Sequence, residues 1–331
     1  MSITALALTG TAMAPAHAAP AAPSAPASSI KVEVRQARQG LAAPAAVKCK
    51  VNHIVYNRYE SCTTADVELT LLRNGQPVGS ATFKITHTMT LKQKSLKWSE
   101  TTGISKATLV NANGVKVTYK AKCGKPCAAD NKFPKDRSLG PAISGKVNYT
   151  SGVKKNKKHT TESSYTFTFT KAGFTPAVLK YKSLKYRCDD TFWNTRNDRR
   201  TLSPGCAYPS YIPTITTMAN LPGISQNIKN VQSRGLKLGV PNGSVLRREA
   251  DETRRNANRR AVCGGLASPG PGLSCDGYPF ASTLEGGTNV PANSRGIAWV
   301  PVDEQNKQGG RIGSFYKKFR VVHADGFWVK V

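Results

Sequence analysis

The sequence predicts an all-β, antiparallel, sandwich-like N-terminal domain followed by an α+β C-terminal domain. Three observations carry that reading. Apolar and polar residues alternate with period two between about 45 and 175, the signature of half-buried strands. From about 183 the alternation gives way to helical spacing and Gly/Pro-rich loops. A chain of 331 residues is long enough for two ordinary domains.

The predicted organisation starts with an apolar, small-residue segment from Ile3 to Ala14 followed by Ala16-His17-Ala18. This reads as a signal peptide over 1–18, too short to span a bilayer. Residues 19–44, rich in Ala, Pro and Ser, read as a linker or pro-segment outside the fold. In the β-rich accessory domain, 45–182, VELTLL (67–72) and ATFKIT (81–86) flank RNGQPVG. KATLV and VKVTYKAK flank Asn111-Ala112-Asn113-Gly114, so two hairpins are expected. Tyr165, Phe167 and Phe169 fall on one face of SSYTFTFT, and the Lys-rich run 153–159 reads as a solvated loop.

The second domain, 183–331, carries helix patterns at 221–235 and 250–263, and a third on which Ile312, Phe315, Tyr316 and Phe319 share a face. It closes with FRVVHADGFWVKV, read as a hairpin or strand pair turning at Ala324-Asp325-Gly326.

Composition narrows the function. Lys and Arg number 48 against 19 Asp and Glu, a net charge of +29 that favours a polyanionic partner, either nucleic acid or anionic cell-wall polymer. Eight cysteines behind an export signal favour disulfides over zinc. Eight cysteines allow about 105 connectivities, and neighbours in sequence would each close a short loop. No later segment is apolar enough to cross a membrane, so a secreted, extracellular protein is expected. P-loop, dinucleotide fingerprint and nucleophile elbow are all missing from the sequence.

Three segments of the second domain could carry chemistry. CDGYPFASTLEGG (275–287) holds Asp276 and Glu285, two carboxylates placed to converge. WVPVDEQNKQGGRIGSFY (299–316) adds Glu304, with Asn306 and Gln308 either orienting a phosphate or a carboxylate, or capping a helix that begins near Gly309. RREADETRRNANRR supplies Arg247, Arg248, Arg254, Arg255, Arg259 and Arg260 for DNA phosphates, although a helix cannot point all six one way. His323 is the one imidazole of this domain and the candidate general base.

RCDD with the later GCAYP, NRRAVC (258–263), CDGYPFAST, and EQNKQGG with FY occur in the order found in the NucA/NucB deoxyribonuclease family. Residues 183–331 resemble that family in these motifs. The resemblance implies endonucleolytic, weakly sequence-selective cleavage of DNA phosphodiester bonds that depends on a divalent metal. Mg²⁺ or Mn²⁺ would be held by oxygens, with Asp276 the first candidate ligand, Glu285 the second and Glu304 the third. The family usually presents Asp-Glu-Tyr or Asp-Glu-Trp, and Asp276-Gly277-Tyr278 lacks that middle carboxylate. Two alternatives stand beside the enzyme: a non-catalytic binder of DNA or wall polymer with a degenerate site, and an exported nuclease toxin.

Overall fold

The computed structural model describes residues 28–35, 38–42, 46–194 and 196–331. The expected signal peptide lies outside the described residues. Part of the expected linker does not. Ser28–Val34 is a strand of the main sheet, paired along its whole length with Val67–Arg73, and Arg38–Ala42 pairs with His53–Tyr56. Ile30 and Val32 give that short stretch an apolar face, and Ile30 is buried in the core.

The N-terminal region is built on one sheet of thirteen strands among the described residues, most of them antiparallel. Its main path runs Lys116–Cys123, Ser163–Lys171, Phe174–Lys182, Ser28–Val34, Glu60–Arg73, Gln76–Thr90, Lys97–Ile104, Ile143–Ser151 and Cys127–Lys132. Only the two-residue strand Arg137–Ser138 lies beyond Lys116–Cys123, and Lys116–Cys123 is joined to Cys127–Lys132, the last strand, by the Cys123–Cys127 disulfide. The Asn131 side chain also bridges them, accepting from the Ala121 amide at 2.7 Å and donating to its carbonyl at 3.0 Å. A sheet whose two ends meet has curled around its own core, which corrects the expected sandwich of two stacked sheets.

That core is rich in aromatics. Tyr165, Phe167 and Phe169 all point inward as their alternation predicts. Within it, Glu100 takes a hydrogen bond from the Tyr149 hydroxyl (2.7 Å) and pairs with Nδ1 of His87 (2.5 Å), while the His87 ring stacks on Tyr165.

The 67–86 hairpin forms as expected, around Asn74 and Gly75, both at positive φ. The second expected hairpin does not. Thr108–Val110 pairs with Ser80–Thr82, whereas Lys116–Cys123 pairs with Ser163–Thr170. Ala112, assigned to the turn, and Val115 after it are fully buried, so burial carries the chain across the end of the sheet instead of back along itself.

Packing does not break at 183. Tyr186–Asp189 pairs with Lys158–Thr161, and Tyr186, Cys188, Cys206 and Tyr208 belong to the core of the sheet. A second core follows, gathered around α1 (Pro222–Gln232) and α3 (Val302–Lys318), with α2 (Glu252–Cys263) lying outside it on the surface. Ile224, Ile228 and Val231 of α1, and Ile312, Phe315 and Tyr316 of α3, are buried as their spacing predicts. The helix α3 begins at Val302, so Asn306 and Gln308 lie inside it and the capping alternative is excluded.

The closing hairpin is also corrected. Gly326–Val329 pairs with Leu246–Arg247 and Thr214–Ile215, and the run before it forms no strand. Arg320 sits at positive φ, and its carbonyl accepts from Arg58 (2.8 Å) and Arg187 (2.9 Å), partners that replace a β-ladder.

The four disulfides join neighbours in sequence: 49–62, 123–127, 188–206 and 263–275. The two regions are joined by a buried ionic cluster. Arg320, 0% exposed, donates to both carboxylate oxygens of Asp189 (2.8 and 2.9 Å), to its carbonyl, and to the carbonyls of Gln93 and Ser203. Arg58 and Arg187 converge on Asp325. Burial alone would push the Asp325 carboxyl upward, but these two guanidinium groups outweigh it and hold the pKa below the ordinary value. Removing one member of such a cluster strands a buried charge. Arg320→Ala is expected to lower stability by about 3–5 kcal/mol, read as an earlier thermal transition.

Candidate functional site

The site is organised by the strand Leu273–Tyr278, paired antiparallel with Gly296–Pro301 so that Asp276 faces Ala298. Alternation turns Asp276 and Tyr278 into the interior, and a Cβ built on Gly277 points to Val262 of α2. Asp276 is 1% exposed. Its Oδ2 accepts from Asn227 of α1 (2.9 Å) and its Oδ1 from Gln308 of α3 (2.8 Å). Burial pushes its pKa up to about 6 against these two bonds, and the charge of Glu304 adds to the rise. Glu304, in the first turn of α3, accepts from the Ile224 amide (3.3 Å) at the start of α1, where helix N–H groups lack internal partners.

A cleft of about 320 Å³ lies over this carboxylate, walled by α2 and α3. The helix α2 buries no residue. It is strapped on by the Cys263–Cys275 disulfide, which joins its last residue to the one before Asp276, and by Asn258, which donates to the carbonyls of Ala281 and Thr283. Its Arg255 and Arg259, one turn apart, line the cleft.

The opposite wall, on α3, sets two glycines among Gln305, Gln308, Ile312 and Tyr316. Gly309 and Gly313 line the cleft, and a Cβ on either would meet nothing within 4 Å. Each glycine inside a helix costs about 1 kcal/mol relative to alanine, and no packing need in the protein accounts for them. What they provide is close approach of a ligand to the α3 backbone. Two buried polar atoms of cleft residues, Nε of Arg255 and Oε1 of Gln305, have no partner within the protein, as expected of groups that meet a ligand.

Of the residues singled out in the sequence, the cleft brings together Asp276, Gln308, Arg255 and Arg259, while Glu304 lies off its lining and acts on Asp276 through its charge. The others lie elsewhere. Glu285 is not a cleft residue: it is buried and accepts from the main-chain N (2.8 Å) and Nε (2.7 Å) of Arg247, and so engages that arginine as well. Arg248 stacks between the rings of Phe192 and Tyr316 and donates to the Val321 carbonyl, a packing position. Arg254 and Arg260 are exposed and off the cleft wall, and Asn306 is exposed on α3.

Half-exposed His323 pairs with buried Glu249 (3.2 Å), and neither lines the cleft, although the Glu249 amide donates to the carbonyl of Ser282, which does. Among the described residues no three His, Cys, Asp or Glu side chains converge, so the expected trio of Asp276, Glu285 and Glu304 is not assembled.

Asn227, Gln305 and Glu249 escaped the sequence reading. Asn227 had left a signal: it stands three residues after Ile224 on a stripe otherwise apolar, where a polar side chain needs a buried partner. Glu249 had none, because in RREADETRR it looks like any solvated acid.

With the fold and the cleft placed, comparison with known proteins is informative. Residues 232–330 match the family described as Deoxyribonuclease NucA/NucB. The match begins within α1, contains α2, α3 and the Asp276 strand, and starts later than the 183 expected from the motifs; RCDD and GCAYP fall before it. No curated protein matches the chain.

A buried carboxylate with a raised pKa sets the sign of two expectations. Between its ordinary pKa and about 6 the folded state binds the extra proton, so stability should fall as pH rises through that window. In chelator, Asp276→Asn should unfold at a higher temperature than the parent at pH 7.5, with the gap closing below pH about 4. On the α3 wall, Gly309→Ala should gain up to about 1 kcal/mol of stability, and Gly309→Leu should fold equally well while losing the cleft.

Proposed function

We propose that the chain, through the NucA/NucB deoxyribonuclease match of its C-terminal part, is an exported, metal-dependent deoxyribonuclease of weak sequence selectivity with an α+β catalytic domain. One observation carries this reading: Asp276, a buried carboxylate with a raised pKa, forms the floor of an arginine-lined cleft inside the matched residues.

The donors around Asp276 suit a hard divalent cation. Asp276 and Glu304 supply carboxylate oxygens within electrostatic range of each other, Gln305 supplies an unpartnered amide oxygen, and Asn227 and Gln308 hold Asp276 through their amide N–H groups. Two carboxylates completed by water match the habit of Mg²⁺ or Mn²⁺. Such an ion would neutralise charge developing on the scissile phosphate.

The protein's own groups account for the rest. Arg255 and Arg259 hold backbone phosphates, and the glycine face of α3 admits the sugar-phosphate chain. Asn227 and Gln308 hold the Asp276 carboxylate in orientation; engaged by the cation it would no longer take up a proton, and the attacking water gives its proton to solvent. Water oxygen bonds to phosphorus, the bridging P–O bond breaks, and the leaving oxygen is protonated from solvent. None of these contacts reads a base edge, which accounts for weak selectivity.

Four disulfides fit an oxidising compartment, and among the described residues no helix is long and apolar enough to cross a membrane.

Gly277 favours a second reading, a binder of DNA or wall polymer that no longer cuts. It lines the cleft at the position where the family carries a carboxylate. A Cβ there would meet Val262 at 3.5 Å, ordinary contact, so a side chain fits.

Plasmid DNA with Mg²⁺ or Mn²⁺ decides between them. Degradation that is stopped by chelator and reduced at least about a hundredfold in Asp276→Ala supports the enzyme. Intact, retarded plasmid supports the binder, and a Gly277→Glu variant that then cuts identifies the missing carboxylate as the cause.

A further inference from the structure

Outside the cleft, basic side chains cluster where the two regions of the protein meet, with Lys155 paired to Asp198 and Arg200 to Asp190. The loop 153–158 of the N-terminal sheet region presents Lys154, Lys155, Lys157 and Lys158, all exposed. It is welded to the following segment by backbone hydrogen bonds from Asn156 N to the Asp190 carbonyl (2.8 Å) and from Asp190 N to the Lys157 carbonyl (3.0 Å). Asp190 is buried, and its Oδ1 receives the Trp193 indole N–H (3.1 Å). The Trp193 ring in turn carries Lys155 at 4.2 Å and Arg200 at 4.8 Å from its centre. Trp193–Asn194 pairs with Arg199–Arg200, so Arg200 stands on a paired strand of a hairpin, and Lys155 packs on the same ring from the lysine loop.

The hairpin reaches the cleft. Arg196 pairs at 3.1 Å with Glu252 in the first turn of α2, and Glu252 lines the cleft that Arg255 and Arg259 continue. Lysines of the loop, arginines of the hairpin and arginines of α2 thus adjoin in that order. Among the described residues Lys154, Lys157, Lys158 and Arg199 have no acidic partner. The 232–330 match covers none of the loop or the hairpin.

We infer that the Lys154–Lys158 loop and the Trp193–Arg200 hairpin form a secondary DNA track that holds the duplex backbone beyond the cleft, so that the N-terminal region extends the nuclease's grip on its substrate. This rests on DNA being the polymer in the cleft. The charges sit on a surface braced by backbone hydrogen bonds, which suits phosphate contacts at successive positions along a duplex. It also accounts for a solvated lysine run that the catalytic site leaves unused.

Binding is read on the full chain in chelator, where nothing is cut, using labelled duplexes of about 10 and about 30 base pairs. The parent should bind the longer duplex more tightly and with a steeper fall of log affinity against log salt. Replacing Lys154, Lys157, Lys158 and Arg199 together by Ala should flatten that slope by about 0.9 for each phosphate no longer neutralised. It should also weaken binding of the long duplex at least tenfold at physiological salt and leave the short duplex unchanged.

Lys157→Ala alone should shift the slope by about 0.9, which keeps the test open should the multiple variant fold poorly, and the charge-keeping Lys154→Arg/Lys157→Arg/Lys158→Arg variant should bind like the parent. An unchanged slope, an equal loss on both duplexes, or a loss confined to anionic wall polymer overturns the track. A parent that binds in this way but leaves plasmid intact with metal would sink the nuclease reading and leave the track standing.

Discussion

Three arginines from distant parts of the chain are buried together, and the geometry of everything downstream depends on their being satisfied. Arg58 comes from the curled sheet, Arg187 from the segment that leaves it, and Arg320 from just beyond α3. Two carboxylates, Asp189 and Asp325, neutralise only part of that charge. The remaining guanidinium N–H groups end on main-chain carbonyls of Tyr208, Tyr211, Gln93, Ser203, Phe319 and Arg320. Charge-assisted bonds of this kind tolerate burial only when every donor is met, so the cluster is intolerant of partial assembly. Its members define where α3 ends, and α3 carries Glu304, Gln308 and the glycine wall. The sheet region is thus part of the scaffold of the cleft, physically continuous with it.

The cleft is expensive in the same sense that functional sites often are. A carboxylate is held out of water, three glycines interrupt one helix, and α2 lies on the surface with no buried residue of its own. None of these choices improves folding. They fit the proposed polyanionic substrate: glycine gaps in one wall, guanidinium groups on the other, and a carboxylate on the floor whose proton affinity is raised by burial.

The N-terminal region solves a different problem. A long antiparallel sheet with exposed edges invites pairing with other chains. Here Lys116–Cys123 and Cys127–Lys132 are bound to each other by a disulfide and by one asparagine side chain, and Arg137–Ser138 covers part of the first, so most of the edge disappears. The polar pair His87–Glu100 inside it is met by tyrosine hydroxyls from neighbouring strands, which lets an otherwise aromatic core retain charge-bearing groups.

Local pattern determined a good deal of this protein. Alternation in SSYTFTFT placed three aromatic rings in the core, helical spacing found α1 and the buried face of α3, and ordered motifs located Asp276 and the arginine helix. These succeed because period-two and period-3.6 patterns are fixed by the backbone itself. The tertiary structure decided what no local pattern encodes. It chose which of Glu285 and Glu304 turns toward Asp276, because Arg247 captures the former and the start of α1 positions the latter. It turned Arg248 inward onto Phe192 and Tyr316 and left Arg255 and Arg259 facing the cleft. It dissolved the expected closing hairpin, since Arg58 and Arg187 claim the carbonyl of Arg320. In each case the deciding partner lies tens to hundreds of residues away, and a side chain's direction follows from the partner that satisfies its charge.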